Sequence, residues 1–554
     1  MKSPILMNVK FLLVIFCALV LNHANAQISS FDNQKKAKSI QKKILKAYEK
    51  MLQSTVDIGV PETGASGVLI SEDGYILTAA HVIAALEGKD SEIRLNDGTK
   101  VTATCLGKNT NADYGLLKIK EKGKWVYADL GSSSDLVMNE ACVMLGHPEV
   151  YDPDRPAVAR IGFYKGITSH GYLKTSCIMM PGDSGGPLFD LKGRVIGICS
   201  YIKDGINENY YPAIDKVKEN WERLEYAETF YDERQPDEAS FINASIESSP
   251  DVFKGGKEGL KSMFQEGSKE IGESVVKIES IIDGNKLEVY GTLIDSKGYI
   301  ISKSSRVGDE KLKCQLNSGV SLIAKVIGRD ESNDLVIIQV ESNEVLKPIA
   351  LNKNVNTQVG QLLGTVGQGK QVLYAGMLSV KPREVLNKDR AYFGVEFASS
   401  KPIIGEVFDG GAAEVAGLVA GDEILKFDKK DVENRQIFYS IQKTKRPGQK
   451  VVLTVLRNGE ENQIEVTLGK APIKPSEWKE NHPAFDTEES KRKDDFPNVF
   501  THDMSLMLDE CGTPVIDLDG QVIGINIARK NRVSAFAIPI ADVLASVENI
   551  LDKH

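Results

Sequence analysis

The chain has no CxxC pair, and its seven cysteines are scattered through 554 residues. The spacing of a structural zinc site is therefore missing, and neither a metal nor a cofactor is expected. A surplus of positive charge is missing too. The formal net charge is -9, and -11 once the two N-terminal lysines are set aside. That balance argues against nucleic acid and leaves peptides or proteins as partners. Long apolar runs are scarce. Phe11 to Leu21 is one, about half of the roughly 20 residues that a spanning helix needs, so no stable membrane span is expected. Lys2 and Lys10 before it and Asn22-His-Ala-Asn-Ala26 after it read as a secretory signal peptide over 1-26, removed after Ala26. The small residues that normally precede a lipidated cysteine are absent before Cys17. An exported chain can oxidise its thiols, and Cys177 with Cys199 is a candidate pair; burial of both as free thiols is the alternative.

What the sequence does have is a repeat. Gly67-Val-Leu-Ile-Ser-Glu-Asp-Gly-Tyr-Ile-Leu-Thr-Ala-Ala-His81 matches Gly291-Thr-Leu-Ile-Asp-Ser-Lys-Gly-Tyr-Ile-Ile-Ser-Lys-Ser-Ser305 without a gap. Gly107 to Asp113 matches Gly328 to Asp334, and Met180-Pro-Gly-Asp-Ser-Gly-Gly-Pro-Leu188 matches the segment around Leu508-Asp-Glu-Cys-Gly-Thr-Pro-Val515. His81 thus answers to Ser305, Asp113 to Asp334 and Ser184 to Cys511. The offset between copies jumps from 221 at the aspartate to 327 at the last position, so about 106 residues interrupt the second copy. Both copies are short alternating apolar runs separated by Asp-Gly and Lys-Gly turns, the pattern of antiparallel barrels.

Within the interruption, Arg390-Ala-Tyr-Phe-Gly-Val395 leads to a Gly-rich stretch, a helical segment and the strand-like Lys450-Val-Val-Leu-Thr-Val-Leu-Arg457. This resembles a bacterial PDZ domain. The resemblance implies that Tyr392, Phe393, Gly394 and Val395 hold a peptide, with free backbone N–H groups receiving a C-terminal carboxylate. The expected organisation is a signal peptide at 1-26 and a first protease-like domain with an N-terminal helix at 27-226. A linker at 227-260 follows, then a second domain split into 261-385 and 490-554, a PDZ domain at 386-471 and a linker at 472-489. The basic segment 33 to 52 is expected to be a helix that packs rather than one that binds membrane.

Peptide hydrolysis needs an activated hydroxyl, a base, a carboxylate that orients the base, and N–H donors for the oxyanion. The first copy supplies His81 at a strand end, Asp113 in a turn, and Ser184 in a Gly-rich turn, in that order. With the Gly-Tyr-Ile-Leu-Thr and Ala-His-Val segments, it resembles trypsin-like serine proteases of the exported HtrA/Deg family. That resemblance implies two chymotrypsin-like double β-barrels plus an inserted PDZ domain, a mainly β fold, and a bacterial periplasmic location, with release to the medium as the alternative. It assigns His81 as base, Asp113 as its partner, Ser184 as nucleophile and Gly182 with Ser184 as oxyanion donors. Ser200 matches the serine that supports the aspartate, while Ile178 and Ile202 match pocket positions and imply cleavage after small aliphatic residues. An oligomer is compatible with the family.

Asp183 departs from the pattern, since these proteins commonly have asparagine there; its buried charge needs a partner that the sequence does not identify. The second copy lacks the histidine, and Asp509-Glu510 and Thr513 replace Gly182-Asp183 and Gly186. Cys511 is expected to be a buried small residue, and His502, which matches Thr175, does not replace the lost base. A peptide-binding scaffold or chaperone with an idle triad is the competing reading.

Overall fold

The computed structural model describes residues 34–60, 64–86, 89–149, 152, 154–203, 208–231, 255–386, 391–442, 444–470 and 488–553. The signal-peptide expectation and the central parts of both expected linkers lie outside them. The chain divides into two compact units, Val385–Asn481 and the remainder.

Alternation of side chains drives the larger unit. In Glu310–Gln315 the sequence EKLKCQ turns Leu312 and Cys314 inward and leaves the lysines, Glu310 and Gln315 in solvent. Turns close the strands into hairpins: Asp283 (φ 52°) and Gly284 (φ 77°) both take the left-handed conformation of a two-residue loop between Ile282 and Asn285.

The first copy opens with strands Thr55–Ile58, Ala65–Leu69, Tyr75–Thr78, Ser91–Arg94, Lys100–Asn109 and Tyr114–Ile119, and the pairing of the last two closes the sheet on itself. Val56, Ile58, Leu69, Ile76, Ile93 and Leu117 fill it. A second sheet runs from Ala141–Gly146 to Asn209–Pro212. The second copy contains two closed six-stranded barrels. Its later barrel takes Leu362–Val366 and Val372–Val385 from before the smaller unit, and Phe496–His502, Pro514–Ile516, Val522–Asn531 and Ser534–Pro539 from after it. The fold is mainly β, two double β-barrels with a PDZ domain inserted in the second.

In the smaller unit, a four-stranded sheet of Glu423–Phe427, Lys430–Asp431, Lys450–Arg457 and Glu460–Thr467 joins the helix Arg435–Gln442. Phe393, Phe427 and Phe438 meet at its centre with ring centroids 5.0 to 5.4 Å apart.

The basic N-terminal segment forms a helix over 34–54, and it packs as expected: Ala37, Ile40, Ile44 and Met51 are fully buried. Its first half bonds to the second copy, through Gln34 to the Leu518 carbonyl, Lys38 to Asp519, and the Leu362 N–H to Gln41. Lys50 then reaches Asp129 of the first copy at 2.7 Å.

Two expectations need correction. The first copy does not end at 226: Thr229–Phe230 adds a parallel strand to Lys100–Asn109, and the Phe230 ring lies 3.8 Å under the Arg223 guanidinium. At the far end of the same expected linker, Lys257–Ser262 is helical with Leu260 buried. The charged stretch at the end of the second expected linker is docked, because Ser490 exchanges two hydrogen bonds with the Arg529 backbone and Arg492 ties down the Glu331 and Ser332 carbonyls. A charged run can be docked when its guanidinium finds carbonyls, which composition does not reveal. Of the two readings of Cys177 and Cys199, the structure has free thiols. The six cysteines among the described residues are all free, and the neighbour of Cys177 is Cys142, with sulfurs 3.8 Å apart.

Candidate active site

Strand Tyr75–Thr78 runs into the short helix Ala80–Ala85, whose first turn carries His81. Asp113 sits where the chain turns between Lys100–Asn109 and Tyr114–Ile119, in the left-handed region at φ 55°. Its carboxylate accepts the His81 backbone N–H at 3.0 Å and lies 2.9 Å from His81 Nδ1. A proton on Nδ1 facing that carboxylate leaves the Nε2 lone pair available to take a proton. Ser200 Oγ donates to Asp113 Oδ2 at 2.5 Å, so the carboxylate is held from both sides.

The turn bearing Ser184 is fixed by its backbone. Ser66 N–H donates to the Ser184 carbonyl, Gly185 N–H to the Cys199 carbonyl, and Ser66 Oγ to the Gly182 carbonyl, all at 2.8 to 2.9 Å. Gly182 has φ 97°, and a Cβ there would come within 2.8 Å of both Glu149 N and O. Only glycine fits so close to that backbone. Among the described residues, the N–H groups of Gly182 and Ser184 donate to no other group, and no hydrogen bond joins Ser184 Oγ to the His81 ring. Apo sites often leave that contact loose.

Asp183 has its partner. Arg160 Nη1 and Nη2 reach its two carboxylate oxygens at 2.5 and 3.0 Å, with both side chains 1% exposed. Met180 N–H donates to Asp183 Oδ2, and Arg160 also donates to the Ile178 carbonyl. Arg160 was legible only as a lone arginine in the apolar strand Val158–Ile167. Of the pocket residues, Ile202 is half-buried beside the second-sheet core, whereas Ile178 clusters with Met180 and with Val533 of the second copy. Its side chain belongs to the contact between copies.

The second copy keeps the scaffold and changes the occupants. Asp334 (φ 54°) accepts the Ser305 N–H at 2.8 Å and the Ser305 hydroxyl at 2.9 Å, where Asp113 holds His81. Lys303, 1% exposed, donates to Asp334 Oδ2 at 2.6 Å and to the Ile527 carbonyl at 2.8 Å. Cys511 is fully buried, and burial pushes its thiol up to about 11. His502 is buried against Asn526 and holds its proton less readily, down to about 4. Neither supplies a thiolate–base pair.

In the smaller unit, Gly394 has φ 79° and its carbonyl accepts the Phe408 N–H at 2.8 Å; strand Val395–Phe397 pairs with Ile404–Val407. Phe393 is buried in the ring cluster and Tyr392 is half-buried beside strand Gly469–Lys470.

Two segments of the chain match known domains. Residues 65–198 match a trypsin-like peptidase domain and residues 391–468 a PDZ domain. The "probable periplasmic serine endoprotease DegP-like" of Hahella chejuensis is 23% identical over 423 residues, 72% of this chain and 79% of that protein. A protein of the same name from Pseudomonas fluorescens is 39% identical over 142 residues, and serine protease HTRA1 of Xenopus tropicalis 37% over 146. Those two alignments cover 25% of this chain and only 29% and 31% of the relatives. A crystal structure of the serine endoprotease from Yersinia pestis aligns with 77% of the chain at 14% identity and a TM-score of 0.29. The chain is a trypsin-like serine endopeptidase that carries a PDZ domain. More narrowly, it is HtrA/Deg-like.

Proposed function

We propose that the first copy cleaves peptide bonds in exported, unfolded or specific protein substrates, with Ser184 as nucleophile, His81 as general base and Asp113 as its orienting partner. The observation that carries this reading is the His81 Nδ1 to Asp113 contact at 2.9 Å, with Ser200 bracing the same carboxylate. On substrate binding, Ser184 Oγ gives its proton to Nε2 as it attacks the carbonyl carbon, and the N–H groups of Gly182 and Ser184 receive the oxyanion. His81 then returns the proton to the leaving amine, and water completes the second half in the same way. Ile202 beside the site favours small aliphatic residues before the cut.

Periplasmic work fits the N-terminal sequence and the names of the relatives. The PDZ unit recruits substrates: the loop from Tyr392 to Val395 faces a C-terminal carboxylate and strand Val395–Phe397 offers an edge for a peptide strand. The second copy regulates rather than hydrolyses. A fluorophosphonate probe tests the centre of this reading. Full-length protein is expected to be labelled, and Ser184→Ala and His81→Ala to lose labelling and hydrolysis by at least about 10⁴-fold. The open Ser184 to His81 contact is what a scaffold with an idle triad would show, and unlabelled wild-type protein in the presence of peptide substrates would establish that alternative.

A further inference from the structure

The turn that precedes Ser184 is gripped from outside its own copy. Glu149 N–H donates to the Pro181 carbonyl at 2.6 Å, one residue before Gly182, and the Glu149 backbone fills the space that a Cβ on Gly182 would need. Glu149 itself is in the left-handed region at φ 69°, a conformation that a non-glycine residue keeps only when its surroundings hold it there. The holders are residues of the second copy. Asn531 Nδ2 donates to Glu149 Oε1 at 3.0 Å, and Lys530 Nζ lies 3.7 Å from Oε2. Asn531 is 2% exposed and is fixed in turn by the Val533 N–H, which donates to its Oδ1 at 3.0 Å.

The grip continues along the turn. Val533 packs on Ile178 and Met180, the residues that lead into it. Asp503 accepts the Ile161 N–H at 2.8 Å and the Met377 N–H at 2.7 Å, so one carboxylate joins a strand of each copy next to Arg160. Arg160 holds Asp183, directly before the nucleophile. Three second-copy contacts thus reach the turn at its beginning, at the residue before Gly182, and through Arg160 at its end. By the offset of the repeat, Arg529 answers to Ile202, so the tip at Lys530–Val533 extends the hairpin that in the first copy walls its own site.

We infer that the second copy is an intramolecular buttress for the oxyanion turn of the first, with Asn531 and Asp503 as positioning residues that act through Glu149 and Arg160. This rests on the catalytic reading above. The second copy lost its chemistry and kept a hairpin whose tip sets where the Gly182 N–H points. Displacing an oxyanion donor by about 1 Å is enough to cost tenfold to a hundredfold in turnover while leaving substrate binding intact.

The test uses full-length protein, a fluorogenic peptide that the wild type cleaves, and a peptide boronate that forms a tetrahedral adduct at Ser184. Asn531→Ala and Glu149→Ala are each expected to lower kcat about tenfold or more with KM within twofold, and to weaken the boronate by the same factor. Because the two residues act through one hydrogen bond, the combined variant should be no worse than the poorer single one. Exchanging donor and acceptor, Asn531→Asp with Glu149→Gln, should recover kcat, a result that mere loss of packing does not give. The pH dependence of kcat/KM should stay in place. Unchanged kcat in both single variants, additive losses, or failure of the exchange overturns the inference. Should Asn531→Ala fail to fold, Glu149→Ala probes the same bond from the other side. Wild-type protein that neither cleaves nor labels sinks the catalytic reading and this inference with it; labelled wild type beside undiminished Asn531→Ala sinks the buttress alone.

Discussion

The two copies place an aspartate at the same turn with nearly the same strained backbone, φ 55° at Asp113 and 54° at Asp334, yet only one of them faces a histidine. In both, the carboxylate accepts the backbone N–H of the second residue of a short helical turn about 30 residues earlier, His81 in one and Ser305 in the other. The degenerate copy therefore acts as a control. The strained aspartate and its N–H bond are part of how the barrel closes, and the His81 ring contact of the first copy is built on top of that structural bond. What differs is the second partner: a serine hydroxyl at Ser200 in one copy, and in the other the buried ammonium of Lys303, which also takes the carbonyl at the position of Ser200.

That contrast can be broken most severely at the buried pairs. Arg160→Leu takes the guanidinium away from buried Asp183, and a loss of about 3 to 5 kcal/mol in unfolding free energy, measured by denaturant titration, is expected together with loss of turnover. Lys303→Met does the same to Asp334 and should cost about 3 kcal/mol, whereas Lys303→Met combined with Asp334→Asn, which suits the left-handed turn and still accepts the Ser305 N–H, should return much of it; a double variant as unstable as the single one would show that an unpaired buried charge is not the cost. An acid titration sharpens the comparison at His502, which stands where the first copy has Thr175. Burial lowers His502 to about 4 in the folded state against about 6.5 unfolded, so the unfolded chain binds the proton first. Stability is fully present above about pH 6.5 and falls as pH drops toward 4, by up to about 3 kcal/mol, and His502→Gln should flatten that fall in urea midpoints measured between pH 4 and 7. The smallest effect belongs to Ser200→Ala, which removes one bond to the Asp113 carboxylate; about tenfold lower kcat with KM unchanged is expected, equivalent to about 1.4 kcal/mol.

Most of the barrel architecture was legible because it is local. Period-two alternation with Asp-Gly turns marks strands wherever it occurs, and the smaller unit announces itself by interrupting a repeat. The three residues of the first site could be named for the same reason, since each lies in a short segment with its own signature. Arg160 was not, because nothing in Ala157-Val-Ala-Arg160 says which buried acid a guanidinium will meet 23 residues later. The Cys142 to Cys177 contact depends on strand register between distant hairpins, which spacing does not encode. Nor could Asn531 be connected to Glu149 across 382 residues, because a hydrogen bond between ordinary polar side chains leaves no trace in either segment.

The helix at 34–54 has a consequence for the order in which the molecule is made. Its first turns leave the ribosome well before their partners, since Gln34 and Lys38 close onto Leu518 and Asp519, a separation of 484 residues for the first bond. At a synthesis rate of roughly 5 to 20 residues per second, that partner arrives roughly half a minute to a minute and a half later. The strap across the two copies is therefore tied only after the first copy has long been made.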